Sequence, residues 1–306
     1  MPRVELPLRG AGGEPVDLRR TLRSHGFSDL PPLRLDEEAP ALELTVRIAK
    51  GRPRRVRVTA GAEGHAALEL LGPRAGDAVA AEVAAAAAHV LRLDQDLSSF
   101  YAAVAEDPDL AWVAEGAGRM LRSPTVFEDV VKTVCTTNCS WALTTKMVTV
   151  LVRELGEPAV GFAGDPLANA FPTPAAMAAQ PEPFYRDVVR AGYRAPYFRE
   201  LARMAAGGEV DLEGLGATNR QDLPDDELER RLLTLPGVGP YAAAHIMMTL
   251  GRNSRLILDS WTRPAYAKLR GRRTPPTDAA IRRRFARYGP DAGLAFWLFV
   301  TRDWVA

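Results

Sequence analysis

The first third of the chain alternates apolar and polar residues with a period of two. The pattern is clearest in ALELTVRIAK (41–50), RRVRVTA (54–60) and AALELLG (66–72), which are separated by turns containing glycine or proline. A period of two places successive side chains on opposite faces of a strand. These segments therefore predict a small antiparallel sheet, and the alanine-rich residues 77–97 that follow predict a long helix.

Beyond residue 110 the apolar positions recur at helical spacing. Proline or glycine interrupts this pattern at Pro124, 156–164, 207–208, 235–239 and 274–277. The chain is thus predicted to be an α+β protein. Residues 1–110 would form an N-terminal domain with the antiparallel sheet and a helix, and residues 111–306 a mostly α-helical body with a cleft between its two halves.

The most informative motif is a tight turn between two apolar helical stretches, in LLTLPGVGPYAAAHIMMTLGRNSRLILD (232–259). Gly237 and Gly239 leave the backbone uncovered where the chain reverses, and the next helix begins with its first amides unpaired. The amides of Gly237, Gly239 and Tyr241 in such a turn can bind one phosphate without reading the base sequence. An ordinary connector between helices also fits these residues, so Asp259, twenty residues after Gly239, is the second signal.

The hairpin and the aspartate resemble those of the helix-hairpin-helix (HhH-GPD) DNA glycosylase superfamily. Further blocks resemble its 8-oxoguanine and 3-methyladenine glycosylase II branches, in the same order along the chain. These blocks are 126–156, 171–179, 191–203 and 289–296. The sheet-plus-helix module resembles the N-terminal domain of the same enzymes, although HGFSDLPP (25–32) does not match their Gly-Gln-x-Phe segment. The resemblance implies that the partner is double-stranded DNA containing a damaged base.

Composition limits the class of protein. Of the 306 residues 47% are hydrophobic and 25% are charged, as in soluble globular proteins, and no stretch is long and apolar enough to span a membrane. The start of the chain lacks the layout of a signal peptide. We therefore expect a cytoplasmic monomer without membrane contacts, associated with the nucleoid in a bacterium.

The net charge of +1 offers no whole-protein argument for DNA binding, but the charge is distributed unevenly. Residues 263–287 form a basic run. Such a run fits contact with the DNA backbone, and it fits a solvated helix face equally well. Both interpretations stay open at this stage.

Cys135 and Cys139 are the only cysteines and lie one helical turn apart, which predicts small buried side chains. Two thiols cannot supply a cluster of four cysteine ligands, so the iron–sulfur branch of the superfamily is disfavoured. No redox cofactor or catalytic metal is implied. The backbone carbonyls of Leu233, Leu235 and Val238 match the positions at which the family holds a monovalent cation, Na⁺ or K⁺.

Asp259 is the candidate catalytic residue. Cleavage of an N-glycosidic bond leaves positive charge on the sugar, and an ionised carboxylate stabilises that charge and can orient or deprotonate a water. A helix N-cap is the alternative explanation for this aspartate, and the two roles are compatible.

Tyr241 determines whether the resemblance includes strand cleavage. In bifunctional members a lysine stands two residues after the last glycine of the hairpin and forms a Schiff base. Here that residue is Tyr241, whose phenol cannot form an imine. No lysine occurs between residues 147 and 267, so the resemblance implies a monofunctional glycosylase without lyase activity.

A glycosylase must extrude its target base and fill the gap that the base leaves. The resemblance assigns the wedge to Asn138, and it assigns insertion between bases and contact with the unpaired partner base to Tyr193 and Arg194. An asparagine that caps its own helix, and a tyrosine packed in the core, are the structural alternatives.

The resemblance assigns the base pocket to Tyr241, His245, Trp261 and Phe296, with Phe296 replacing the glutamine that reads guanine in 8-oxoguanine enzymes. A slip of one residue in the last block would exchange Phe296 for Trp297. An aromatic pocket with few hydrogen-bonding groups favours a flat, positively charged base such as an alkylated purine. Burial in the core is the alternative for each of these side chains.

The sequence thus predicts a monofunctional DNA glycosylase of base excision repair, acting on a flipped, alkylated purine. One alternative is a glycosylase for oxidised, deaminated or mismatched bases such as 8-oxoguanine. Another is a non-catalytic DNA-binding protein, although such a protein has no use for a carboxylate that faces the sugar-phosphate backbone.

Overall fold

A computed structural model describes residues 3–36 and 38–305. Its sheet has five strands in the order β1-β5-β4-β3-β2, and every neighbouring pair is antiparallel. The strands are β1 (Arg3–Pro7), β2 (Arg34–Asp36), β3 (Ala41–Val46), β4 (Arg54–Ala60) and β5 (His65–Leu71). The predicted antiparallel sheet is confirmed, and the two short edge strands are additions that the alternation did not indicate.

Thirteen α-helices occur in the described part of the chain, so the α+β prediction is confirmed. They are α1 (Leu18–Leu22), α2 (Asp77–Val90), α3 (Ser98–Val104), α4 (Val126–Thr136), α5 (Trp141–Leu155), α6 (Pro174–Ala178), α7 (Ala195–Ala206), α8 (Leu212–Ala217), α9 (Asp225–Leu232), α10 (Pro240–Thr249), α11 (Thr262–Leu269), α12 (Asp278–Phe285) and α13 (Ala292–Thr301). Among the described residues, no helix has the length and apolar character needed to cross a membrane.

Helix α2 packs on the sheet and is shorter than the alanine-rich sequence predicted. Val83, Ala87 and Val90 join the apolar core of the sheet, and the helix ends at Val90 rather than continuing to residue 97. Arg92 adopts a left-handed backbone conformation with φ of 55°, and its buried guanidinium donates from Nε to the carbonyl of Met120 at 2.9 Å. This contact with Met120 forms two residues after the last residue of α2.

The helical body contains two apolar cores that meet at α10. Ala242, Ala243, Ile246 and Met247 face the first core, which also contains side chains of α4, α5, α7 and α9. Ala244 and Met248 face the second core, formed with α3, α11, α12 and α13. Helix α10 is therefore buried on both sides. Helix α3 precedes residue 110 but packs in the second core, with helices that follow that residue. The domain boundary at residue 110 stays a prediction.

A cluster of charged groups is buried at the start of α4. Glu128 and Lys132 form an ion pair at 2.6 Å with both side chains almost inaccessible. The Asp129 carboxylate accepts a hydrogen bond from the Ser123 amide at 2.9 Å. Burial raises the pKa of Asp129 to about 7, and the hydrogen bonds of Ser123 and the charge of Lys132 offset only part of that effect.

Asp129→Asn should remove one contribution to the pH dependence of folding. An acid whose pKa rises on folding stabilises the native state below its unfolded pKa, and this stabilisation is lost as the pH rises through about 7. Asparagine does not ionise, so the free energy of unfolding of the variant relative to wild type should increase between pH 4 and 7, by about 3 kcal/mol. Urea titrations at several pH values measure it.

The buried histidines contribute a slope of opposite sign, because burial lowers their pKa values, but this contribution is common to both proteins. Asp303→Asn, at an exposed carboxylate, controls for the loss of one negative charge. A difference between wild type and Asp129→Asn that stays constant from pH 4 to 7 would contradict the raised pKa.

Candidate active site

A cleft of about 1670 Å³ opens between the two halves of the helical body. Four parts of the chain supply most of its walls: residues 25–29, the α4–α5 turn at 136–141, the hairpin at 237–242, and residues 258–261. Single side chains from elsewhere complete it, namely Arg23, Leu35, Tyr193, Tyr197, His245, Trp297 and Trp304. The cleft therefore brings together residues from the whole length of the chain.

The predicted hairpin is present between α9 and α10. Gly237 has φ of 78°, and a Cβ atom added there would lie 3.0 Å from Tyr197 and 3.1 Å from Val134. Pro240 occupies the first turn of α10, where its missing N–H costs no hydrogen bond. Among the described residues, the amides of Gly239 and Tyr241 have no protein acceptor, so they are available to an anion at the helix N-terminus.

The carbonyl groups predicted to hold a monovalent cation belong to the same turn. Leu233 is the C-terminal cap of α9, and the carbonyl of Leu235 accepts a hydrogen bond from the Val238 amide at 3.1 Å. A carbonyl oxygen has a second lone pair, so this bond leaves Leu235 able to coordinate an ion. The cation site stays a prediction.

Asp259 lies at the cleft wall with one carboxylate oxygen engaged. Its Oδ1 accepts hydrogen bonds from the amides of Trp261 at 2.8 Å and Thr262 at 2.6 Å, and its own amide donates to Thr262 Oγ1 at 2.9 Å. These bonds cap the start of α11, as the structural alternative predicted. In the described part of the chain, Oδ2 accepts no hydrogen bond, so capping leaves one oxygen for chemistry.

Tyr241 stands on the first turn of α10 and contacts both apolar cores. Its hydroxyl lies 3.3 Å from Thr136 Oγ1, and burial raises the pKa of the phenol. None of the four lysines of the sequence lines the cleft. Lys132, the buried one, is paired with Glu128 instead.

His245 forms part of the cleft floor, one helical turn after Tyr241. Its ring stacks on Phe27, with 5.0 Å between centroids, and meets the ring of His25 edge-on at 5.8 Å. Burial lowers the pKa of His245 to about 4 and that of His25 to about 3, so both imidazoles are neutral at pH 7. No sequence signal indicated His25 and Phe27, because the segment that carries them matches no family motif.

Three tryptophans form one wall of the cleft. Trp261 lies 5.4 Å from Trp304 and 6.0 Å from Trp297, measured between ring centroids. Trp261 and Trp304 are 43% and 40% exposed, whereas Trp297 is mostly buried and donates a hydrogen bond from Nε1 to the carbonyl of Ser24 at 2.8 Å. Trp304, at the end of the chain, had no sequence signal.

The prediction that Phe296 lines the base pocket was wrong. Phe296 is 0% exposed and packs in the second core, 5.4 Å from Phe285 and 6.2 Å from Tyr266 between centroids. Its neighbour Trp297 lines the cleft instead. One residue along a helix rotates the side chain by about 100°, which is enough to exchange the two faces.

Asn138 and Tyr193 lie side by side in the cleft lining. Asn138 is exposed, has φ of 45°, and donates from Nδ2 to Tyr193 Oη at 3.3 Å. The tyrosine is 53% exposed, which contradicts the alternative that it packs in the core.

The prediction that Arg194 contacts the partner base was wrong for this conformation. Arg194 is only 3% exposed and does not line the cleft. Its guanidinium donates from Nε to Thr137 Oγ1 at 3.1 Å, from Nη1 to the Ala191 carbonyl at 3.4 Å and from Nη2 to the Thr137 carbonyl. These hydrogen bonds within the protein occupy the guanidinium N–H groups that would otherwise donate to a base.

Part of the basic run is engaged in ion pairs. Arg263 pairs with Asp278 at 2.8 Å, Arg270 and Arg284 pair with Asp109 at 3.4 and 2.6 Å, and Arg287 pairs with Asp107. No residue of the run lines the cleft. Contact between this basic run and DNA stays a prediction. It now concerns only those arginine and lysine residues of the run for which the described residues supply no ion pair.

Gly237→Ala should weaken binding of damaged and undamaged duplexes alike. The left-handed conformation costs a residue with a Cβ atom about 1–2 kcal/mol, and the added methyl group would press on Tyr197 and Val134. Because the hairpin amides would bind phosphate and not bases, affinity should fall roughly tenfold for both duplexes. Fluorescence anisotropy measures both affinities.

Gly239→Ala is the matched control, because that residue has φ of −100° and open space around an added Cβ. Its melting temperature should equal that of wild type, so any loss of affinity in this variant reports crowding at the phosphate alone. A loss confined to one lesion would instead place the hairpin in the base pocket.

Known proteins resemble this chain in sequence and in fold. No protein-family model matches the sequence. A probable N-glycosylase/DNA lyase of Methanothermobacter thermautotrophicus is 27% identical over 196 residues, which cover 57% of this chain and only 60% of the relative. The 3-methyladenine DNA-glycosylase of Archaeoglobus fulgidus superimposes with a TM-score of 0.72 at 20% identity, over 100% of both chains.

The 8-oxoguanine glycosylase/lyase of Clostridium acetobutylicum has a TM-score of 0.66 at 21% identity, covering 90% of this chain and 93% of that one. The chain therefore has the fold of these two DNA glycosylases.

Proposed function

We propose that this protein is a DNA glycosylase of base excision repair that hydrolyses the N-glycosidic bond of a flipped, damaged purine. The observation that carries the proposal is the Asp259 carboxylate, which has one oxygen fixed by two amides and the other without a hydrogen bond from the described residues. It shares the cleft with the hairpin amides, so bound DNA would present a sugar to the free oxygen.

The chemistry follows from this geometry. As the bond between C1′ and the base nitrogen breaks, its electron pair leaves with the base and positive charge develops on the sugar. The ionised Asp259 stabilises that charge, and it accepts the proton from the water whose oxygen bonds to C1′. Because the carboxylate is already held by the start of α11, it does not need to reorganise during the reaction.

The substrate we propose is a purine made cationic by alkylation. A neutral purine must gain a proton as it leaves, but both histidines of the cleft floor are neutral at pH 7, so no imidazolium is available to donate one. A cationic purine leaves as a neutral base and needs no such donor. The wall formed by Trp261, Trp297 and Trp304 adds cation–π attraction for a flat, positively charged ring.

We also propose that the enzyme is monofunctional. Strand cleavage through a Schiff base requires an amine, and Tyr241 occupies the position at which the bifunctional enzymes carry it. The absence of lysine from the cleft lining, among the described residues, supports the same proposal. The relatives named glycosylase/lyase do not decide this point for the present chain.

Asp259→Asn should reduce base release by roughly 10²–10³-fold, because the neutral amide cannot balance the charge on the sugar. Affinity for damaged DNA should be unchanged or higher, since the amide preserves shape and its oxygen can still cap α11. Single-turnover release of the base measures the rate.

The comparison variant is Asp29→Asn, at the second carboxylate of the cleft lining, which should retain the wild-type rate. Wild-type turnover in Asp259→Asn would remove Asp259 from the mechanism. A protein that binds damaged duplexes but releases no base in any form would be the non-catalytic alternative.

The wild-type protein should release 7-methylguanine and 3-methyladenine from duplex DNA more efficiently than 8-oxoguanine. An aromatic wall discriminates by charge and shape, so selectivity between the two alkylated purines should be modest. The strand should stay intact until alkali cleaves the abasic site, and borohydride should trap no covalent adduct. Chromatography of the released bases and gel analysis with and without alkali measure both properties.

The two parts of this prediction can fail separately. Efficient release of 8-oxoguanine without activity on either alkylated base would overturn the substrate and leave the glycosylase proposal intact. A borohydride-stable adduct would overturn monofunctionality and leave the substrate assignment intact.

A further inference from the structure

Arg194 occupies a junction between two segments that both reach the cleft. It lies at the start of α7, directly after Tyr193, and its guanidinium crosses to the α4–α5 turn that carries Asn138. Two of its three nitrogen atoms donate to Thr137, one to the hydroxyl and one to the carbonyl. An arginine on one segment therefore fixes the backbone of the other.

The acceptor side of this junction is the C-terminal end of α4. Thr137 caps the helix, and its hydroxyl also donates to the Val134 carbonyl at 2.8 Å. A guanidinium placed here neutralises the partial negative charge of the last carbonyl groups. The next residue, Asn138, has φ of 45°, a conformation that an asparagine tolerates better than most residues but that must be held in place.

The rest of the turn is held as firmly. The Cys135 carbonyl accepts hydrogen bonds from Cys139 Sγ and from Thr144 Oγ1, each at 3.0 Å. On the other segment, the Arg194 guanidinium lies 4.4 Å from the centre of the Tyr193 ring. Asn138 Nδ2 then closes the arrangement by donating to the Tyr193 hydroxyl.

We infer that Arg194 is a positioning residue that fixes Asn138 and Tyr193 as one preassembled wedge. This inference rests on the proposed function, in which a base leaves the duplex and these two side chains fill its place. A wedge that is ordered before binding loses little conformational entropy when it enters the stack. Because the guanidinium is bonded within the protein, the two uncharged side chains of the wedge contact the partner strand without it.

The test compares affinity for two duplexes that contain no damaged base. One carries a tetrahydrofuran abasic-site analogue, which leaves a gap for the wedge, and the other is undamaged. Arg194→Met should lower the preference for the gapped duplex about tenfold and change affinity for the undamaged duplex by less than twofold. Arg199→Met, at an exposed arginine of the same helix, should leave both affinities unchanged.

Thr137→Val is the second variant, and it keeps the arginine while removing the hydroxyl that accepts from Nε. It should lower the preference for the gapped duplex in the same direction as Arg194→Met, by a smaller factor. If Arg194 acts through Asn138, the losses in Arg194→Met and Asn138→Gly should not multiply: the double variant should lose less than the product of the two.

An unchanged preference in both Arg194→Met and Thr137→Val would overturn the inference. Equal losses on the two duplexes would also overturn it, because Arg194 would then support the fold as a whole and not the wedge. These measurements need no base release, so failure of the wedge and failure of the glycosylase proposal are distinguishable. A wild type that releases no base refutes the proposed function, whereas a variant that keeps its preference refutes only the positioning role.

Discussion

The arrangement of the helical body depends on the burial of α10 on both of its sides. Ala243 and Ile246 face one apolar core, and Ala244 and Met248 face the other, so the helix cannot rotate or slide without opening a cavity in one of them. The cleft residues that belong to α10 are therefore held in place. The hairpin amides lie at the N-terminus of α10, and Tyr241 and His245 lie on its first two turns.

The second constraint is that, among the described residues, Arg23 is the only arginine or lysine in the cleft lining. The histidines of its floor are neutral because they are buried, Arg194 is bonded to Thr137, and no lysine reaches the lining formed by the described residues. The carboxylate of Asp259 shares this cleft with the wall formed by Trp261, Trp297 and Trp304. An electrostatic contrast of this kind favours positive charge in the bound base, whether it is present from the start or develops on the sugar.

Some site features were predictable because local sequence determines them. The hairpin needs glycine at the left-handed position 237, and the short lead-in to Asp259 brings it to the start of α11, where local hydrogen bonds cap the helix. Other features depend on distant contacts. All ten residues of α13 are buried, so no polar face indicated that Trp297 and not Phe296 turns to the cleft.

The sequence by itself determined the succession of a sheet and a helical body, the three central strands, the hairpin and the aspartate, because alternation, glycine conformation and helix capping act over a few residues. Only the tertiary structure decided which residues complete the site. Phe27 reaches the cleft floor by stacking on His245, and Arg194 turns inward to a carbonyl 57 residues away along the chain. Such contacts are set by how the two cores pack around α10, which no short-range pattern encodes.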